Sequence, residues 1–489
     1  MANVGPDVEV LRAEADALFR AIRDLDAAAA RRMTWNHDRY RGMSGLDVVQ
    51  AKPPLEDVRD AVASEQHFDC WSELERYADL LRRHPQSSEA RFESSVAALA
   101  AGDATTFAAL LDSHRELATS FSPRRHGGSL WHYLAANGVE NAAQTSGPWA
   151  ITMAEALRDA GGGALVDAIT NVYGGGPGST ALVALVTSVH PAHAGTQADL
   201  VRIFCDAGAD PNGLLPLGGE SADAGLPEDA DPLRLSLGFR YPAAARALVQ
   251  AGAIVRDLPS AAGVGDAKLV TAYLDPSLTL VSETCSFPNP RHEALPGSTA
   301  PHPADVLTQA AVFAAMAGDA DSLDRLLDAG ADINGGPRRE ITAIHEAAFQ
   351  GHAETVHHLL GRGADPTRRD AMWDSTAIGW ASGGGHDELV RELFNGPQVD
   401  IADAVELRRP DVVRRLLTED PACVNGRDGR GGPLREAAFQ GNAEIIALLL
   451  AAGADRTLGN DAGLTASDYA TTRGHHEVQR LLNAAAGKD

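Results

Sequence analysis

The segment from Ile341 to Arg368, ITAIHEAAFQGHAETVHHLLGRGADPTR, leaves few options for the chain that contains it. Thr342 is placed to cap a helix, and Ile344, Ala347 and Ala348 follow at i, i+3 and i+4 until Gly351 ends the run. A second helix starts at once. Val356, Leu359 and Leu360 share a stripe between His352 and Arg362, and Gly363 supplies the left-handed backbone that leads into the turn Ala364-Asp365-Pro366. Both helices are too short to persist alone in water, and the Ala347-Ala348 pair offers little surface to bury. Such a unit is stable only between copies of itself, so the chain is expected to be a stack of helix pairs.

The copies are present. EAAFQG at 346–351 returns at 436–441, and Gly-Ala-Asp turns stand at 330–332, 363–365 and 453–455, one or several periods of about 33 residues apart. ITAIH at 341–345 is similar to the Thr-Pro-Leu-His signature of the ankyrin repeat, with Ala343 in place of the proline. GHAETVHHLLGRGAD at 351–365 resembles that repeat's second helix and finger turn. The chain therefore resembles a bacterial ankyrin-repeat-domain protein. The resemblance implies an all-α ankyrin solenoid of about ten or eleven units, several degenerate, behind an N-terminal helical cap. It also places His132 and His345 at the signature position, where the ring is a hydrogen-bonded strut between neighbouring repeats.

Along the chain, Val8 to Arg32 reads as one long helix with Leu11, Leu18, Ile22 and Leu25 on a stripe, and Leu55 to Arg83 as two more. Phe68, Trp71 and Leu74 are expected to pack inward, covering the open end of the stack. The expected divisions are a helical cap at 1–88, degenerate repeats with long insertions at 89–275, a proline-rich connector at 276–304 and regular repeats at 305–489. Within the degenerate part, residues 139–152, 171–197 and 213–232 exceed what a repeat turn needs. The last of these holds Glu220, Asp223, Glu228, Asp229 and Asp231 with no basic residue, the pattern of an acidic surface loop.

Charge narrows the partners. A formal net charge of −25 over 489 residues repels nucleic acid and anionic membrane alike, which leaves a neutral or basic protein as the expected partner. Cys70, Cys205, Cys285 and Cys423 show no paired spacing, the N-terminus has no apolar leader pattern, and no apolar run approaches a membrane span. The expected location is the cytoplasm. YGGGPGST at 173–180 lacks the lysine of a phosphate loop, and His190-x-x-His193 has no partnering carboxylate, so neither a cofactor nor a metal is expected.

Two readings of function remain. The resemblance implies a protein-protein interaction scaffold that binds through a concave groove and the finger turns. The residues on that side are Trp131, Tyr133 and Asn137, Glu346, Phe349 and Gln350, Trp373 and Trp380, and Glu436, Phe439 and Gln440. Trp373, Trp380, Glu346, Gln350, Glu436 and Gln440 are the expected partner-binding set, with the two tryptophans solvent-exposed, because RRDAMWDSTAIGW departs from the repeat's usual residues. The alternative is an enzyme or small-molecule binder whose pocket is formed by inserted loops over 126–193, in which His132, Tyr133, Asn137, Tyr173 and His190 converge.

Overall fold

The computed structural model describes residues 5–171, 178–213, 231–274, 303–337, 339–396, 398–426, 431–460 and 463–484. Among these, every extended element is an α-helix or short 3-10 turn, and β structure is limited to two isolated bridges, Phe121 with Ser129 and Thr170 with Ser179. The described residues form two compact units, one ending at Val255 and the other beginning at Arg256. Four of the insertion carboxylates named above (Glu220, Asp223, Glu228 and Asp229), Tyr173, and residues 276–302 of the expected connector lie outside the described residues.

The first unit opens with helices Val8–Arg23, Ala27–Asn36, Gly45–Ala51, Leu55–Glu65 and Trp71–Arg83. The single helix expected over Val8–Arg32 is in fact two. Leu25 adopts a left-handed φ of 67°, and the Asp26 carboxylate accepts from the backbone N–H groups of Ala28 and Ala29 at 2.9 Å each, which restarts the helix. Leu25, expected on the apolar stripe, is consequently 73% exposed. Leu11, Ala15, Leu18 and Ile22 do face inward, packing with Met33, Val48, Val58 and Val62, and Phe68, Trp71 and Leu74 are buried as expected. Four helix pairs follow: Ser88–Ala100 with Ala104–Ser113, Leu130–Ala135 with Trp149–Asp159, Ala181–Val186 with Gln197–Asp206, and Pro232–Gly238 with Pro242–Gln250.

The second unit has seven such pairs, from Leu258–Val264 with Ala267–Tyr273 to Ala466–Thr472 with His476–Ala484. First helices lie beside first helices and second beside second, so each pair buries its alanine-rich face on its neighbours. The polar fastenings between pairs follow from the same few residue types. Backbone N–H of Thr342 donates to His345 Nδ1 at 3.1 Å, which leaves the proton on Nε2 to donate to the carbonyl of Arg368 at 2.9 Å. His132 repeats this in the first unit, between the Ser129 N–H and the Ser179 carbonyl. Burial pushes both imidazoles down to about 4, so each strut is neutral.

A second set of histidines stands at the start of second helices. His352, His386 and His475 reach back through Nε2 to the carbonyls of Met316, Phe349 and Phe439. Each ring lies against a glycine that ends the preceding pair's first helix, Gly318, Gly351 or Gly441, all with φ near +73°. The glycine thus answers two demands, left-handed backbone and room for the next pair's imidazole. Asparagines tie the turns in the same manner: Asn334 Oδ1 accepts from the Asp365 N–H and Asn425 Oδ1 from the Asp455 N–H.

Candidate functional site

Between Arg368 and Thr376 the second unit abandons its repeating pattern because one carboxylate reorganises the turn. Asp370, 2% exposed, accepts from the backbone N–H groups of Met372 at 2.7 Å, Trp373 at 2.8 Å and Ser375 at 3.1 Å. Its Oδ2 also accepts the indole N–H of Trp380 at 2.9 Å. Burial opposes ionisation of this carboxyl, but the four donors hold it below the ordinary range. Asp374, at φ 52°, closes the loop by donating to the Asp370 carbonyl. The loop lifts Trp373 out to 51% exposure while its ring stays edge-on to Trp380 at 5.1 Å. Trp380 in turn packs on His345 and Phe349, with centroids at 5.4 and 5.8 Å.

Beside the loop, polar groups join helix Ala377–Gly383 to helix Ile401–Glu406. Thr376 Oγ1 donates to Asp403 Oδ2 at 2.8 Å, and Arg369 Nη2 bridges Asp400 at 3.4 Å and Asp403 at 3.3 Å, while its other terminal nitrogen donates to the Asp374 carbonyl. Burial pushes the Asp403 carboxyl up to about 7, against the pull of Arg369. The Glu406 carboxyl is also raised by burial, with Glu436 adding to the shift.

In front of this seam opens a groove of about 820 Å³. Trp373 forms part of its wall, and the carboxylates of Glu340, Asp365, Asp374, Asp400, Glu406 and Glu436 outnumber the guanidiniums of Arg368, Arg369 and Arg435 by six to three. An aromatic surface flanked by surplus negative charge suits an alkylammonium or guanidinium group whose carbon stem lies on the ring.

The expected partner-binding residues divide here. Trp373 and Glu436 line the groove. Gln440 supports it from behind, its amide donating to Glu436 Oε1 at 2.7 Å and to the Glu406 carbonyl at 3.0 Å. Trp380 and Glu346 are corrections to the expected exposure: both are only 3% exposed, Trp380 because Asp370 and three neighbouring rings enclose it. Gln350 is half-buried at the end of helix Ala343–Phe349. Sequence reasoning missed Arg369, Asp370, Asp400 and Asp403, although the break in pattern at RRDAMWDST marked the place.

Of the alternative set, Tyr173 lies outside the described residues, and the other four take separate places in the stack. His132 is a buried strut, and the Tyr133 hydroxyl is buried against Ser122, His126 and Glu140. Asn137 donates to the Ala184 carbonyl and to Thr187 Oγ1 at 3.1 Å each. His190 sits half-buried on the short helix Val189–His193. Trp131, expected in the groove, is fully buried, its indole N–H donating to the Gly162 carbonyl at 2.8 Å and its ring edge-on to Phe204. Among the described residues no group of three or more His, Cys, Asp or Glu is arranged to hold a metal ion, and no helix is long and apolar enough to cross a membrane.

Comparison with known proteins matches residues 311–403 to a family model described as ankyrin repeats in three copies. The chain is 30% identical over 200 residues to the putative ankyrin repeat protein YahD of Escherichia coli, an alignment covering 37% of this chain and 96% of that protein. It is 25% identical over 214 residues to a putative palmitoyltransferase, ZDHHC13, of Danio rerio, and 30% identical over 187 residues to the ankyrin repeat protein nuc-2 of Neurospora crassa. The matched parts span 33% and 17% of those two relatives.

Proposed function

The chain belongs to the ankyrin-repeat family, and from that premise we propose that it is a protein-interaction scaffold that captures a basic segment of a partner in the groove beside Trp373. The observation that carries this reading is a half-exposed indole set among surplus carboxylates. An arginine or lysine of the partner lays its stem on Trp373 and its charge toward Asp374, Glu406 and Glu436, while Arg369, fastened to Asp400 and Asp403, keeps the groove's shape. The overall charge of −25 adds long-range attraction and speeds encounter. The wide, unpaired spacing of the four cysteines supports a reducing, cytoplasmic setting.

A peptide library that varies one Arg or Lys beside apolar residues, read by fluorescence polarisation, tests the proposal. Cationic peptides should bind, lose several-fold in affinity between 50 and 300 mM salt, and weaken with Trp373→Ala. Equal binding of acidic counterparts, or no effect of Trp373→Ala, would sink it.

A further inference from the structure

The step Asn-Gly occurs five times in the chain, at Asn137, Asn212, Asn334, Asn395 and Asn425. It is a reactive setting for an asparagine, because glycine has no side chain to keep its backbone nitrogen away from the neighbouring amide carbon. In four of the five the structure ties the amide down. Asn137 Nδ2 donates to the Ala184 carbonyl and to Thr187 Oγ1, both at 3.1 Å. Asn212 Nδ2 donates to the Gly252 carbonyl at 3.0 Å, and its Oδ1 accepts from the Ile254 N–H at 2.9 Å. Asn334 and Asn425 accept through Oδ1 from the N–H groups of Asp365 at 2.8 Å and Asp455 at 2.9 Å. Each clamp fastens one helix pair or turn to the next, so freeing the amide means parting neighbours in the stack.

Asn395 differs. It closes helix Asp387–Phe394 as a last right-handed residue, at φ −84° and ψ −7°, and it is exposed. Its side-chain amide makes no hydrogen bond among the described residues. The Gly396 N–H donates only to the Leu393 carbonyl, at 3.0 Å. Phe394 is 1% exposed and its carbonyl accepts from Arg415, so the helix stays anchored while the two residues after it fray.

We propose that Asn395 is a site of spontaneous deamidation, the one Asn-Gly step that the stack leaves open to it. When Gly396 lets go of the Leu393 carbonyl, its nitrogen reaches Cγ of Asn395 and a new N–Cγ bond closes a cyclic succinimide. The Cγ–Nδ2 bond breaks, and the amide nitrogen leaves as ammonia with the proton from Gly396. Water then opens the ring at either carbonyl, giving aspartate or, with the main chain routed through Cγ, isoaspartate. Both products place a new negative charge at the C-terminal end of helix Asp387–Phe394, where the helix dipole disfavours it. Isoaspartate also lengthens the backbone by one carbon shortly before Asp400, which holds Arg369.

The test is to incubate the full chain at 37 °C for several weeks, digest samples, and read all five sites by mass spectrometry with electron-transfer fragmentation, which separates aspartate from isoaspartate. Conversion at Asn395 should be at least ten-fold faster than at any of the other four, with isoaspartate among the products. It should also quicken from pH 7 to 8, because the attacking nitrogen must give up its proton. In concentrated urea, where the clamps are gone, the five rates should fall within a few-fold of one another. Gly396→Ala adds a Cβ that meets only the Leu393 carbonyl oxygen, and should slow Asn395 several-fold in a folded chain. A rate at Asn395 no higher than at the clamped sites, a difference that persists in urea, or an unslowed Asn395 in Gly396→Ala would overturn the proposal.

Discussion

Replacing Asp370 with alanine tests how the groove is built. The carboxylate satisfies three backbone N–H groups and the Trp380 indole. Water can reach the loop amides after the change, so each lost bond there costs about 0.5–1 kcal/mol, whereas the indole of Trp380, 3% exposed, is left orphaned at a cost of about 1–3 kcal/mol. The sum is about 2.5–6 kcal/mol. Because a stack of repeats opens locally, the loss should appear as amide hydrogen exchange at 370–380 faster by about two to four orders of magnitude, with helix Ala443–Ala451 little changed. Asp370→Asn keeps the shape and part of the bonding and should cost about half as much. Binding of the cationic peptides should fall with both variants, since Trp373 loses its support. Unaltered exchange at 370–380, or equal acceleration across the whole unit, would refute the idea that this one side chain organises the loop.

The two tryptophans should separate stability from binding. Trp380→Ala leaves a cavity among His345, Phe349 and Trp373 and should destabilise by about 3–5 kcal/mol, while Trp373→Ala should cost at most about 1 kcal/mol yet lower peptide affinity about ten-fold or more, as thermal unfolding and polarisation assays would show. Gly351→Ala, at φ 74° and against the His386 ring, should lower stability by about 1–2 kcal/mol or more; Gly361→Ala, inside a helix with open space, should be neutral or raise it by up to about 1 kcal/mol. Acid and base act oppositely on the second unit. His345, pushed down to about 4, takes up its proton more readily unfolded, so its strut loses stability as pH falls from about 6.5 toward 4. Asp403, pushed up to about 7, holds its proton better folded, so the seam's stability is greatest below about pH 4 and declines as pH rises through 7. The difference between wild type and Asp403→Asn in urea titrations should isolate that decline, and parallel profiles would refute it.

The sequence by itself determined the repeating unit. Short helices and glycine at their ends are local demands, so Thr342 and Gly351 could be placed from spacing, while the role of His345 came from the resemblance to the ankyrin signature, and the structure finds all three doing those jobs. The break at RRDAMWDST was equally legible, but of the two tryptophans expected to be exposed there only Trp373 is. Tertiary structure decided the rest. Period and composition cannot say that Asp370 turns inward and takes the Trp380 indole with it, because that choice depends on which donors meet in space. The same holds for Arg369 against Asp400 and Asp403, about thirty residues apart, and for Glu140, on one oxygen of which Arg124, His126 and Tyr133 all converge. A helix pair is specified by contacts three or four residues apart, but buried charge is satisfied by whatever the fold brings near it, and only the assembled stack fixes that geometry.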